Sequence, residues 1–190
     1  MISIKKQNIK INSRLNIPEH NIIEKLYNTR SLNLDEYEYP IGNRTEEYAE
    51  KLASKNARML ILGSKDHVGP KLASAFEKAE DITKGCTGIT VCFCFNYGGE
   101  KEIADAANLA IKNGETITPE SIRGHLYHPE VPDIDMVVRT SGEERISGFM
   151  LWRSSYAEFM FIKKYFPEMS GDDITTILAE FNSRSRRFGK

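Results

Sequence analysis

DIDMVVRTSGEERISGFMLWRSSYAEFMF, residues 133–161, is where the architecture is most legible. IDMVVR (134–139) is a short apolar run that reads as a buried strand and delivers Arg139 at its carboxyl edge. Thr140, Ser141 and Gly142 then form a small polar turn, and Arg145 and Ser147 follow in the same loop. An apolar segment with Phe149, Leu151, Trp152, Tyr156 and Phe159 comes next; its spacing predicts a helix and a share of the core.

Working outward, the same grammar repeats. RMLILG (58–63) reads as a buried strand, and GITVCFCFN (88–96), β-branched and aromatic on both faces, as a strand covered on both sides. Between and around them, 44–56, 71–85, 100–114 and 172–187 have helical periodicity, two of these runs end in glycine, and Thr118-Pro119 caps another helix. Strands alternating with helices predict an α/β fold, a mostly parallel sheet flanked by helices. Residues 1–42 form an N-terminal segment broken by Pro18, Pro40 and Gly42, in which Ile2, Ile4, Ile9 and Ile11 could form a strand; 43–190 is the main domain.

Composition narrows the function classes. The chain has 26 Lys and Arg against 27 Asp and Glu, so no global field draws it to nucleic acid. No stretch approaches the roughly 20 apolar residues that span a bilayer, and the first residues lack the apolar block of a signal peptide. The expected place is the cytoplasm, with peripheral contact to a membrane surface left open. Cys86, Cys92 and Cys94 lack the second pair a metal site needs, so they read as buried core thiols.

The 139–147 loop is chemically suggestive. Two guanidinium forks, a hydroxyl and free backbone N–H groups are what a diphosphate needs. Glu158, beyond the apolar segment, is a carboxylate of the kind that serves magnesium near a diphosphate. Spacing alone leaves open that Arg139 and Arg145 are surface arginines paired with Glu143 and Glu144.

R-T-S-G-E-x-R-I-S-x-F-x-L-W-x-x-x-Y-A-E, starting at Arg139, resembles the signature of the cis-prenyltransferases, the family of undecaprenyl diphosphate and dehydrodolichyl diphosphate synthases. NARMLILG (56–63) resembles that family's N-x-R-x-x-x-x-G strand, NYGG (96–99) its N-Y-G-G segment, and RRFG its terminal R-x-G motif at Arg187 and Gly189. GNRTEEY (42–48) resembles a remnant of its E-N-W-x-R-P segment. The resemblance implies that Arg139, Arg145 and Ser147 bind the diphosphate of isopentenyl diphosphate and that Glu158 helps to hold Mg2+. It also implies that Arg187 and Gly189 reach a neighbouring active site across a dimer interface.

Family members also carry a strand ending in D-G-N-x-R-W that grips the allylic diphosphate, and residues 1–55 contain nothing similar. Gly148 stands where asparagine is usual, and Glu100 where a basic residue follows N-Y-G-G. The chain therefore resembles a degenerate accessory subunit, and the leading expectation is a heteromeric enzyme. In it a D-G-N-bearing catalytic subunit binds the allylic prenyl diphosphate and this chain supplies the R-x-G motif, inactive alone; a homodimer is the other pairing. A self-sufficient compact synthase, gripping the allylic substrate through His20, Arg30 or Arg44, is the alternative. A non-catalytic isoprenoid-diphosphate-binding or scaffold protein is the third reading.

Overall fold

The computed structural model describes residues 2–4 and 38–184. They fall into two compact units, one built from 38–130 and the other from 2–4 with 131–184.

In the first unit, β2 (Arg58–Leu62) lies parallel to β3 (Thr90–Cys94), with Arg58 beside Thr90 and Leu62 beside Cys94. Helix α1 (Glu38–Ala53) and helix α2 (Pro70–Thr83) cover one side. Ala49 and Leu52 of α1 meet Ala57, Met59 and Ala79 in a buried cluster, against which Val91 and Phe93 pack. Helix α2 begins where Pro70 loses no hydrogen bond, at the first turn. It ends at Thr83, whose buried hydroxyl accepts the Met59 N–H at 2.9 Å and so joins helix to strand. Helix α3 (Gly99–Lys112) buries Glu102, Ala106 and Ala110 at four-residue spacing. Helix α4 (Pro119–Gly124) starts from a reciprocal cap between Thr118 and Ser121.

In the second unit, β4 (Met136–Arg139) is central, parallel to β5 (Glu158–Phe161) and antiparallel to β1 (Ile2–Ile4). Met136, Val138 and Met160 point to one face and pack on Met169, Ile177 and Phe181, the last two from helix α5 (Gly171–Ser183). Burying one such side chain contributes on the order of 1.5–3 kcal/mol. Alternation puts Val137, Arg139, Phe159 and Phe161 on the opposite face, where the two Phe rings stack at 6.3 Å.

The α/β fold with parallel strands and flanking helices is as expected, and three local expectations change. The apolar stretch after Ser147 is a series of turns, then strand β5, because Ser147, Gly148 and Met150 all have positive φ and a helix cannot pass through them. Of the N-terminal isoleucines, Ile2 and Ile4 do lie in a strand, β1, while Ile9 and Ile11 lie outside the described residues. Thr90 of β3 is exposed and residues 91–94 are half-buried, so this strand is less enclosed than its composition implied. The three cysteines are free thiols, likewise half-buried.

Candidate active site

Strand β4 ends at Arg139, and the chain turns back over the end of β5. The Ser141 N–H donates to Lys164 O and the Gly142 N–H to Ile162 O, each at 2.8 Å, which pins the Thr140–Gly142 turn. Ser141, Gly142, Ser147 and Gly148 have φ between 47° and 77°. Backbone bent this way can turn N–H groups towards an anion, but those of Ser141 and Gly142 are already committed, so any such donors come from the loop beyond Gly142. Arg139 closes the loop from inside: its Nη1 donates to Arg145 O and, at 3.0 Å, to Ser147 Oγ. Arg145 and Ser147 are exposed, and the Arg145 guanidinium pairs with Glu143. The surface pair foreseen as the plain reading of Arg145 is thus present, at a solvent-facing position where such pairs contribute little and exchange readily. The structure brings Arg139, Arg145 and Ser147 together.

Glu158 stands apart from them. It begins β5 beside Met136, three residues back along the sheet from Arg139, and alternation directs it to the α5 face. There its Oε2 accepts from Arg184 Nη1 at 3.2 Å; the same nitrogen donates to Phe159 O at 3.1 Å, and Arg184 Nη2 to Glu180 at 2.6 Å. Arg184 escaped sequence reasoning because its partner lies 26 positions away. Among the described residues no group of three or more His, Cys, Asp or Glu side chains converges on a metal position. Magnesium commonly binds through one or two carboxylates plus phosphate oxygens and water. Glu158 therefore fits such an ion only as one ligand among phosphate and water oxygens. Arg187, Gly189, His20 and Arg30 lie outside the described residues; Arg44 is exposed on α1.

The Asn96–Gly99 turn, in the other unit, is held differently. Asn96 Nδ2 donates to Ser64 O and Asp66 O at 3.0 and 2.9 Å, and Tyr97 OH donates to the buried Glu102 at 2.5 Å. A cavity of about 350 Å³, lined by Gly63, Ser64, Asp66, Asp105, Tyr127 and His128 among others, opens beyond β2. Lys65 also lines it and is exposed, while Lys101 is neutralised by Asp66 and Asp105, each at 2.8 Å. Burial, reinforced by Asp105, pushes the Tyr127 phenol up to about 12, so it keeps its proton at neutral pH.

The chain is similar to known proteins along most of its length. The family described as putative undecaprenyl diphosphate synthase matches residues 37–189. An isoprenyl transferase of Thermotoga maritima is 39% identical over 145 residues, 74% of this chain and 62% of the relative. A decaprenyl diphosphate synthase of Mycobacterium leprae is 40% identical over 147 residues, 74% of this chain and 50% of the relative. The chain thus spans less than two thirds of the length of these curated relatives. A crystal structure of a probable undecaprenyl diphosphate synthase from Campylobacter jejuni superposes with a TM-score of 0.74 at 28% identity, covering 85% of this chain and 77% of that one. With family match, relatives and fold in agreement, this chain belongs to the putative undecaprenyl diphosphate synthase family.

Proposed function

We propose that the chain is a cis-prenyl diphosphate synthase component that joins isopentenyl diphosphate to an allylic prenyl diphosphate. The observation that carries this is the 139–147 loop, where a strand end, positive-φ backbone and an exposed arginine converge inside a family-matched segment. In the reaction a bond forms between C4 of the isopentenyl unit and C1 of the allylic unit. The C1–O bond breaks, diphosphate leaves, and C2 of the isopentenyl unit loses a proton. Arg145, Ser147 and the N–H groups of the loop beyond Gly142 hold the isopentenyl diphosphate, and Arg139 braces the loop that presents them. Magnesium, when bound, offsets charge on diphosphate oxygens, the chemistry that eases departure of such a leaving group.

Whether one chain suffices has two readings. The relatives, single-name isoprenyl transferases and a decaprenyl diphosphate synthase, favour a self-sufficient synthase. Two observations favour a heteromeric enzyme with shared sites. The 190 residues contain no Asp-Gly-Asn, and Glu158 faces away from its own chain's loop. One assay separates the readings: label from isopentenyl diphosphate is followed into butanol-extractable product, with farnesyl diphosphate and Mg2+ present. The chain is tested alone and mixed with a D-G-N-bearing relative. Product from the chain alone supports the first reading, and activity that the chain adds to its partner supports the second. No contribution in either arm refutes both.

A further inference from the structure

We infer that Lys163 is a further diphosphate-binding residue, an added cation set against the turn that opens the 139–147 loop. The inference rests on the reading of that loop as a diphosphate site.

Three observations place Lys163 there. The turn is pinned on both sides of it, by Gly142 N–H to Ile162 O and by Ser141 N–H to Lys164 O. Gly142 has φ +71°, and a Cβ built on it would lie 3.9 Å from both Lys163 Cα and Lys163 Cγ, so the lysine stem runs alongside the turn. The side chain is exposed, and it takes part in no hydrogen bond or ion pair among the described residues.

The neighbouring cations are committed in ways that Lys163 is not. Arg139 is spent on Arg145 O and Ser147 Oγ, and Arg145 is paired with Glu143. Lys164 is held by both oxygens of Asp173, at 2.7 and 2.9 Å. An arriving diphosphate must pull Arg145 from Glu143 and compete with the loop's own acceptors for Arg139. Lys163 has no such cost. Its ammonium is a mobile point charge on a four-carbon stem, which suits an oxygen that a fixed guanidinium fork does not reach.

The test is calorimetric titration of the full chain with isopentenyl diphosphate and, separately, inorganic diphosphate. Five proteins are compared: the parent, Lys163→Ala, Lys163→Arg, Arg145→Ala and Lys112→Ala, the last removing the same charge from the end of α3. Lys163→Ala is expected to bind both ligands about tenfold more weakly, the loss of one hydrogen bond to a charged group. Lys163→Arg should restore most of that affinity, and Lys112→Ala should bind like the parent. If Lys163→Ala binds like the parent while Arg145→Ala is weakened, the Lys163 assignment is overturned and the loop reading stands. If neither variant changes affinity, both fall. Equal weakening in Lys112→Ala and Lys163→Ala would also overturn the assignment, because net charge alone would then account for it.

Discussion

Removing the carboxylate of Glu102 tests how the Asn96–Gly99 turn is held. Glu102 is 1% exposed. One oxygen accepts from Tyr97 OH at 2.5 Å, the other from the Tyr127 N–H at 3.1 Å. Both donors come from segments that must be brought to α3, so this side chain ties three pieces of backbone together. Glu102→Leu keeps apolar bulk but deprives both donors of this acceptor. A hydrogen bond to a charged group contributes about 1.5–3 kcal/mol, and an unsatisfied buried donor costs a similar amount, so about 3–5 kcal/mol is expected. Glu102→Gln keeps one carbonyl oxygen and should lose about half as much. Urea unfolding followed by far-ultraviolet circular dichroism is the assay, because the single tryptophan, Trp152, belongs to the other unit. With a slope of about 2 kcal/mol per M, the Leu variant should shift the midpoint down by roughly 1.5–2.5 M. A shift below about 0.3 M in the Leu variant refutes the argument, since that is the scale of an ordinary surface substitution.

Three further outcomes follow from other residues. Gly63→Ala should destabilise by about 3 kcal/mol or more, because a Cβ there would sit 1.7 Å from Phe95 O and β2 and β3 would have to part; an unchanged melting temperature counts against the close approach. Hydrogen bonds from Lys164 and then from the Ser170 backbone and hydroxyl hold Asp173 down to about 2, below its ordinary 3.8. A depressed carboxyl stabilises the fold above its unfolded value and loses that contribution as pH falls from about 4 towards 2. Asp173→Asn should therefore flatten the acid arm of melting temperature against pH, and parallel acid arms in the two proteins would exclude the assignment. The double change Arg187→Ala with Gly189→Ala should leave melting unchanged and lower turnover in whichever assembly is active, since a glycine admits close backbone approach to a diphosphate and an arginine fork pairs its oxygens. Full activity in that variant would remove the tail from the account.

The parts that the sequence made legible are those with local causes. The apolar runs at 58–62 and 136–139 and the alanine-spaced helices announce themselves by periodicity, and the glycine and proline stops bound them to within a few residues. The turns of 149–156 did not, because Phe149, Leu151, Trp152 and Tyr156 mimic helical spacing while the positive φ at Ser147, Gly148 and Met150 is a tertiary outcome. The antiparallel docking of Ile2–Ile4 on β4 joins residues more than 130 apart and has no local signal. Within the site, the grouping of Arg139, Arg145 and Ser147 followed from one short loop. The turning of Glu158 towards Arg184 depended on strand register, which no spacing rule supplied.

The most direct test of the diphosphate assignment is a crystal structure of the chain soaked with isopentenyl diphosphate. The account predicts diphosphate oxygens within hydrogen-bonding distance of Arg145, Ser147 and the backbone N–H groups of the 139–147 loop, with Arg145 turned away from Glu143. Diphosphate bound instead at the Asn96–Gly99 turn, or an empty loop at saturating ligand, contradicts it.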